Sequence, residues 1–118
     1  MRRSDAVGRY GEDVAARHLA GAGLAILARN WRCDLGEIDI VARDGDTLVV
    51  CEVKTRCGAA YGPPEEAVTP AKVRRLRRLA ARWLADHPVR PQAVRVDVVA
   101  VVRPRSGAAR VEHLRGVA

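Results

Sequence analysis

The sequence predicts a single mixed α/β domain, a mixed β-sheet flanked by helices in the order α-β-β-β-α-β. Two stretches carry apolar residues at helical spacing, and several short runs are rich in Val, Ile and Leu. Two of those runs are joined by Asp44-Gly45, a strong hairpin signal, while a helix separates the next pair and acts as a crossover. With 118 residues the chain suits one compact domain, 1–118, whose core spans about 5–102.

Residues 5 to about 22 read as the first helix. Ser4 is placed to cap it, Val7, Tyr10, Val14 and Leu19 recur near helical period, and Gly21 and Gly23 end it. Gly8, Glu12, Ala15 and Leu19 share a face, so Glu12 lies on or beside the packed side, an odd place for a surface acid. Residues 24–33, "LAILARNWRC", form a first strand; "EIDIVAR" and "TLVVCEVKT" are the next two. A Gly- and Pro-containing loop, "RCGAAYGPPEEAV", follows, long enough to suggest a functional role. Thr69-Pro70 opens the second helix, a cap followed by proline at the first helical position, and Pro88 closes it. Its apolar stripe is Val73, Leu76, Leu79, Ala80, Trp83 and Leu84. Residues 94–102 make a fourth strand, and 109–114 a weak edge strand.

Composition narrows the functional classes. Without any Phe, and with aromatics at 3%, the core is built from Ala, Val and Leu. No apolar run nears the ~20 residues of a membrane span, and no h-region follows the basic N-terminus, so a cytoplasmic protein without membrane contact is expected. Three cysteines without C-x-x-C spacing argue against a disulfide framework or a zinc knuckle. A net charge of +7 favours polyanionic partners, nucleic acid first. Only Lys54 and Lys72 among the 21 basic residues are lysine, which hints that those two positions require a compact ammonium.

Four charges interrupt the hairpin strands: Glu37, Asp39, Glu52 and Lys54. If Asp44-Gly45 is a two-residue turn, Glu37 faces Glu52 and Asp39 faces Val50. If the loop runs from Asp44 to Thr47, Asp39 faces Glu52 and Glu37 faces Lys54. Either register puts all four on one face, where clustered carboxylates repel one another and need a compensating cation. Lys54 supplies one charge; Mg²⁺ or Mn²⁺ held by Asp39 and Glu52, with the Val53 carbonyl as a further ligand, would supply the rest. Such an ion neutralises a nonbridging phosphate oxygen and lowers the pKa of water, the chemistry of phosphodiester cleavage. Lys54 would stabilise developing charge or position the attacking water, and Glu12 would reach the ion through water. Asp39, Glu52, Lys54 and Glu12 are therefore the candidate catalytic residues. E-x-K alone is a common salt bridge; the preceding aspartate on the same face makes the pattern informative.

This array resembles the PD-(D/E)xK nuclease superfamily, whose core is an α-β-β-β-α-β unit of the restriction-endonuclease type. Within it, "GEDVAARHL", "ILARNWRC", "GEIDIVARD", "CEVKTR", "EEAVTPAKVRRL" and "RVDVVAV" resemble the YraN family, which is classed as endonuclease-like, over nearly all of residues 8–102. The resemblance implies a metal-dependent endonuclease, and archaeal Holliday-junction resolvases in the superfamily carry a first-helix acid placed like Glu12. Ile38 stands where the motif's name has proline.

For DNA contact, the second helix offers Lys72, Arg74, Arg75, Arg78 and Arg82 on one acid-free face, with Tyr61 in the long loop as a base- or substrate-facing residue. Symmetric cutting of a duplex would call for a homodimer. Two other functions fit the same composition: a nucleic-acid-binding module without chemistry, and a basic partner for an acidic protein.

Overall fold

The computed structural model describes residues 4–57 and 68–117. Its elements are helix α1 (Ser4–Gly21), strands β1 (Ala25–Cys33), β2 (Gly36–Asp44) and β3 (Thr47–Cys57), helix α2 (Pro70–Ala85), and strands β4 (Ala93–Arg103) and β5 (Arg110–Leu114). The strands form one sheet in sequential order, β1-β2-β3-β4-β5. Only β3 and β4 run parallel, joined through α2, and the other neighbours are antiparallel. This is the mixed α/β architecture predicted, with the weak edge strand realised as β5. Ser4 differs from expectation, lying inside α1 rather than ahead of it. Tyr61 and most of the loop around it lie outside the described residues. Among the described residues, no helix is long and apolar enough to cross a membrane.

Alternation along the strands divides the core into two layers. Leu48 and Val50 of β3 join Val41, Val96 and the α2 stripe of Val73, Leu76, Leu79, Ala80 and Trp83. Val49 and Cys51 point the other way, to Ala15 and Leu19 of α1 with Ile40, Ala42, Val99 and Val101. Each helix thus buries its apolar stripe on one face of the sheet, which the near-complete burial of β3 and β4 requires. Helix α2 begins as its sequence predicts: Thr69 is extended and its hydroxyl accepts the Lys72 N–H at 3.1 Å, with Pro70 at the first position.

The hairpin closes with Asp44 paired to Thr47 and Arg43 to Leu48. Gly45, at φ 60°, occupies the first central position of the turn, where a positive φ favours glycine. Of the two registers the sequence leaves open, the one that sets Asp39 toward Glu52 is therefore adopted. Close contact brings α1 to the far end of β3: a Cβ on Gly11 would collide with the Thr55 side chain, so only glycine admits this approach.

Candidate active site

Asp39 occupies the point where β2 leaves β3. The ladder between these strands ends at Ile40–Cys51, one pair short of Asp39. Strand alternation also breaks there. Ile40 packs under α1, yet Ile38, two residues earlier, packs under α2. Into the resulting gap Asp39 turns its carboxylate, and its Oδ2 accepts the Val53 N–H at 2.8 Å. A backbone donor freed by the parting strands is satisfied by the side chain that the parting exposes.

Glu52 lies next along β3 and is buried, 7% exposed. Its Oε2 meets the ammonium groups of both lysines in the chain: Lys72 Nζ of α2 at 2.5 Å and Lys54 Nζ at 3.5 Å. Lys72 thus turns inward to the acidic cluster rather than outward with the arginines, which corrects its expected place on the open basic face. The scarcity of lysine was the signal for this role.

Glu12 approaches from α1, level with Asn30 of β1. Its Oε1 is buried without a hydrogen-bond partner, with Arg29 Nη2 4.0 Å away. The Asn30 side chain lies within hydrogen-bonding reach of the same carboxyl group. Asn30 also has a left-handed backbone, φ 53°, in mid-strand, a conformation that Asn tolerates better than most residues. Nothing in the sequence pattern of β1 marks that kink. Glu37 accepts a hydrogen bond from Arg32 Nε at 2.5 Å. Together Glu12, Asn30, Arg32, Glu37, Lys54 and Thr55 help to line an open cleft of about 610 Å³.

The electrostatics follow from crowding. Burial pushes the Asp39 pKa up to about 7; the Val53 N–H opposes this, while the charges of Glu52, Glu12 and Glu37 add to it. Burial likewise raises Glu12, with Asn30 and Arg29 opposing and Glu37 and Asp13 adding. Four acids from three elements therefore act on one another at one end of the sheet. Among the described residues, no three His, Cys, Asp or Glu side chains form a ready-made metal cage. Mg²⁺ does not require one, being commonly bound through one or two carboxylates plus substrate phosphate. The Glu12 oxygen left without a hydrogen bond and the mutual repulsion around Asp39 fit a divalent ion held there.

Other predicted residues fall elsewhere. Arg74, Arg75 and Arg78 are exposed along α2. Arg82 is tied at 2.8 Å to Asp34, so it is a less open contact than its neighbours. Asp97, on β4 beside Cys51, is not among the residues lining the cleft: fully buried, it accepts hydrogen bonds from Arg95 and the Gly116 N–H and pairs with His113.

Comparison with known proteins places this sequence in a family. A model described as "Uncharacterised protein family UPF0102" matches residues 11–101. A UPF0102 protein of Beutenbergia cavernae is 64% identical over 117 residues, 99% of each chain. Another, from a Parafrankia strain, is 64% identical over 98% of each chain. A third, from Streptomyces coelicolor, is 61% identical over all of this chain and 92% of its own.

Proposed function

The chain belongs to UPF0102, the YraN family, and we propose that it is a metal-dependent DNA endonuclease acting in the cytoplasm, with branched or otherwise structured DNA as its candidate substrate. One observation carries this reading. Asp39 lies where two strands part, its proton affinity raised by burial and further by three acids, while a lysine of β3 stands beside Glu52 on the same strand. A purely structural salt bridge has no need of the surplus carboxylates.

Asp39 and Glu52, with the Val53 carbonyl, would hold Mg²⁺ or Mn²⁺. Such an ion supplies neutralisation of a nonbridging phosphate oxygen and acidification of water. Lys54, which lines the open cleft, is placed to meet the phosphate and to stabilise charge as it develops. The buried Glu12 oxygen is an acceptor able to orient a water molecule. Arg74, Arg75 and Arg78 would grip the phosphate backbone, and symmetric duplex cutting would require a homodimer.

The test is cleavage of duplex and four-way-junction DNA by purified protein with Mn²⁺ or Mg²⁺. Wild type nicks or cuts, and Asp39→Ala and Lys54→Ala each lower the rate by about 10²-fold or more while retaining the native circular dichroism spectrum. Cutting that survives both substitutions sinks the mechanism. The exposed row of Arg74, Arg75 and Arg78 along α2 also suits a second reading, a nucleic-acid-binding module without chemistry. That alternative predicts salt-sensitive DNA binding, no cleavage, and no heat of Mn²⁺ binding.

A further inference from the structure

Lys72 has features that the proposed cleavage chemistry leaves unused. It is one of two lysines in a chain with 21 basic residues, and it makes the shorter of the two ammonium contacts to Glu52. Its backbone N–H is held by the Thr69 hydroxyl in the first turn of α2, so both ends of the residue are fixed. The carboxylate it meets is nearly enclosed, and it lies beside Asp39, whose surroundings are already too acidic. An ammonium is a compact point charge on a flexible stem, strongly hydrated once released, whereas a planar guanidinium grips a carboxylate through a rigid fork; lysine is therefore the cation better suited to leave that carboxylate.

We propose that Lys72 is a resident counter-ion of the acidic site, bound to Glu52 in the metal-free protein and released from it when a divalent cation takes that carboxylate. The inference deepens the metal-binding reading and rests on it. The Glu52 backbone is fixed by its place in a central strand, paired to Val98 of β4, and its carboxylate meets Lys72 and Lys54. Loss of Lys72 therefore leaves the backbone position of Glu52 in place. What the lysine contributes is charge, which stabilises the empty site and competes with the metal.

Two measurements test this. The first is Mn²⁺ calorimetry on the full chain. Lys72→Met, having lost the competing charge, binds Mn²⁺ about three- to tenfold more tightly than wild type. Equal or weaker binding by the variant overturns the proposal while leaving the metal site intact. Wild type that binds no Mn²⁺ at all overturns both this inference and the metal-dependent reading. The second measurement is thermal unfolding in EDTA, and needs no metal. Lys72→Met lowers the melting temperature by about 5 °C or more, and the drop largely disappears when Glu52→Gln is already present. A drop of the same size in both backgrounds overturns the ion-pair assignment. Lys72→Gln, which keeps a hydrogen-bond donor but no charge, follows Lys72→Met in both measurements and serves where the methionine variant does not fold.

Discussion

Asp39 shows what a functional position costs a small domain. Its carboxyl group is held near the point where β2 and β3 diverge, with a pKa pushed up to about 7 by burial and by neighbouring acids. A carboxyl whose folded pKa exceeds its unfolded value near 4 binds more protons in the native state. Stability therefore falls as pH rises from about 4 through about 7, and the deficit persists above that. Asparagine keeps an acceptor for the Val53 N–H but carries no charge. Asp39→Asn should accordingly be more stable than wild type at pH 8 in EDTA, by about 1–3 kcal/mol once the partial exposure of the cleft is allowed for. The difference should shrink toward pH 5. Melting curves across pH 5–8 check it, and a variant no more stable than wild type at pH 8 contradicts the crowded-acid account.

Among the elements, β5 is held by its ladder to β4 and tied further by a buried acid. Asp97 of β4 accepts from Nε and Nη2 of Arg95, meets His113 of β5 at 2.7 Å and accepts the Gly116 N–H beyond it. Although burial alone would raise its pKa, these partners, Arg95 foremost, hold its carboxyl below the usual range. The sign is opposite to that for Asp39: the stabilisation is present above about pH 4 and is lost as pH falls through the lower native value. Asp97→Ala leaves Arg95, His113 and the Gly116 amide without this acceptor, so it should cost about 3–5 kcal/mol. Hydrogen exchange should quicken in β5 before the central strands, and uniform quickening across the sheet contradicts a local tie. These two elements also show what the sequence could reveal. Alternation in β2 and β3, the Asp-Gly turn and the Thr-Pro cap made the elements legible, and brought Glu12, Asp39, Glu52 and Lys54 together on paper. The break in alternation between Ile38 and Ile40 was not legible, because it arises from the packing of both helices on one strand. Nor was the partnership of Asp97, since it depends on how a tail after β4 folds back, which no local spacing encodes.

For the molecule as a whole, net charge and its placement govern association. A charge of +7 attracts any polyanion, but Lys72 and Arg82 are engaged with Glu52 and Asp34, which leaves Arg74, Arg75 and Arg78 as the open part of the α2 face. Replacing these three with alanine should weaken DNA binding at low salt and flatten the dependence of log K on log salt by about 2–3 units, if each contacts one phosphate. An unchanged slope moves the DNA path off α2. The sheet places that basic helix on one face and α1, with Glu12, on the other, and Asp39 lies where the strand between them changes sides. The domain thus sets an acidic cluster at the end of the sheet where β2 and β3 part, with open arginines on one flanking helix. The most direct measurement is a crystal of the protein soaked in Mn²⁺ with anomalous diffraction recorded at the manganese edge. The account predicts one strong peak coordinated by both Asp39 and Glu52, with Lys72 withdrawn from Glu52. A fully soaked crystal with no peak there, and with Lys72 still on Glu52, would contradict it.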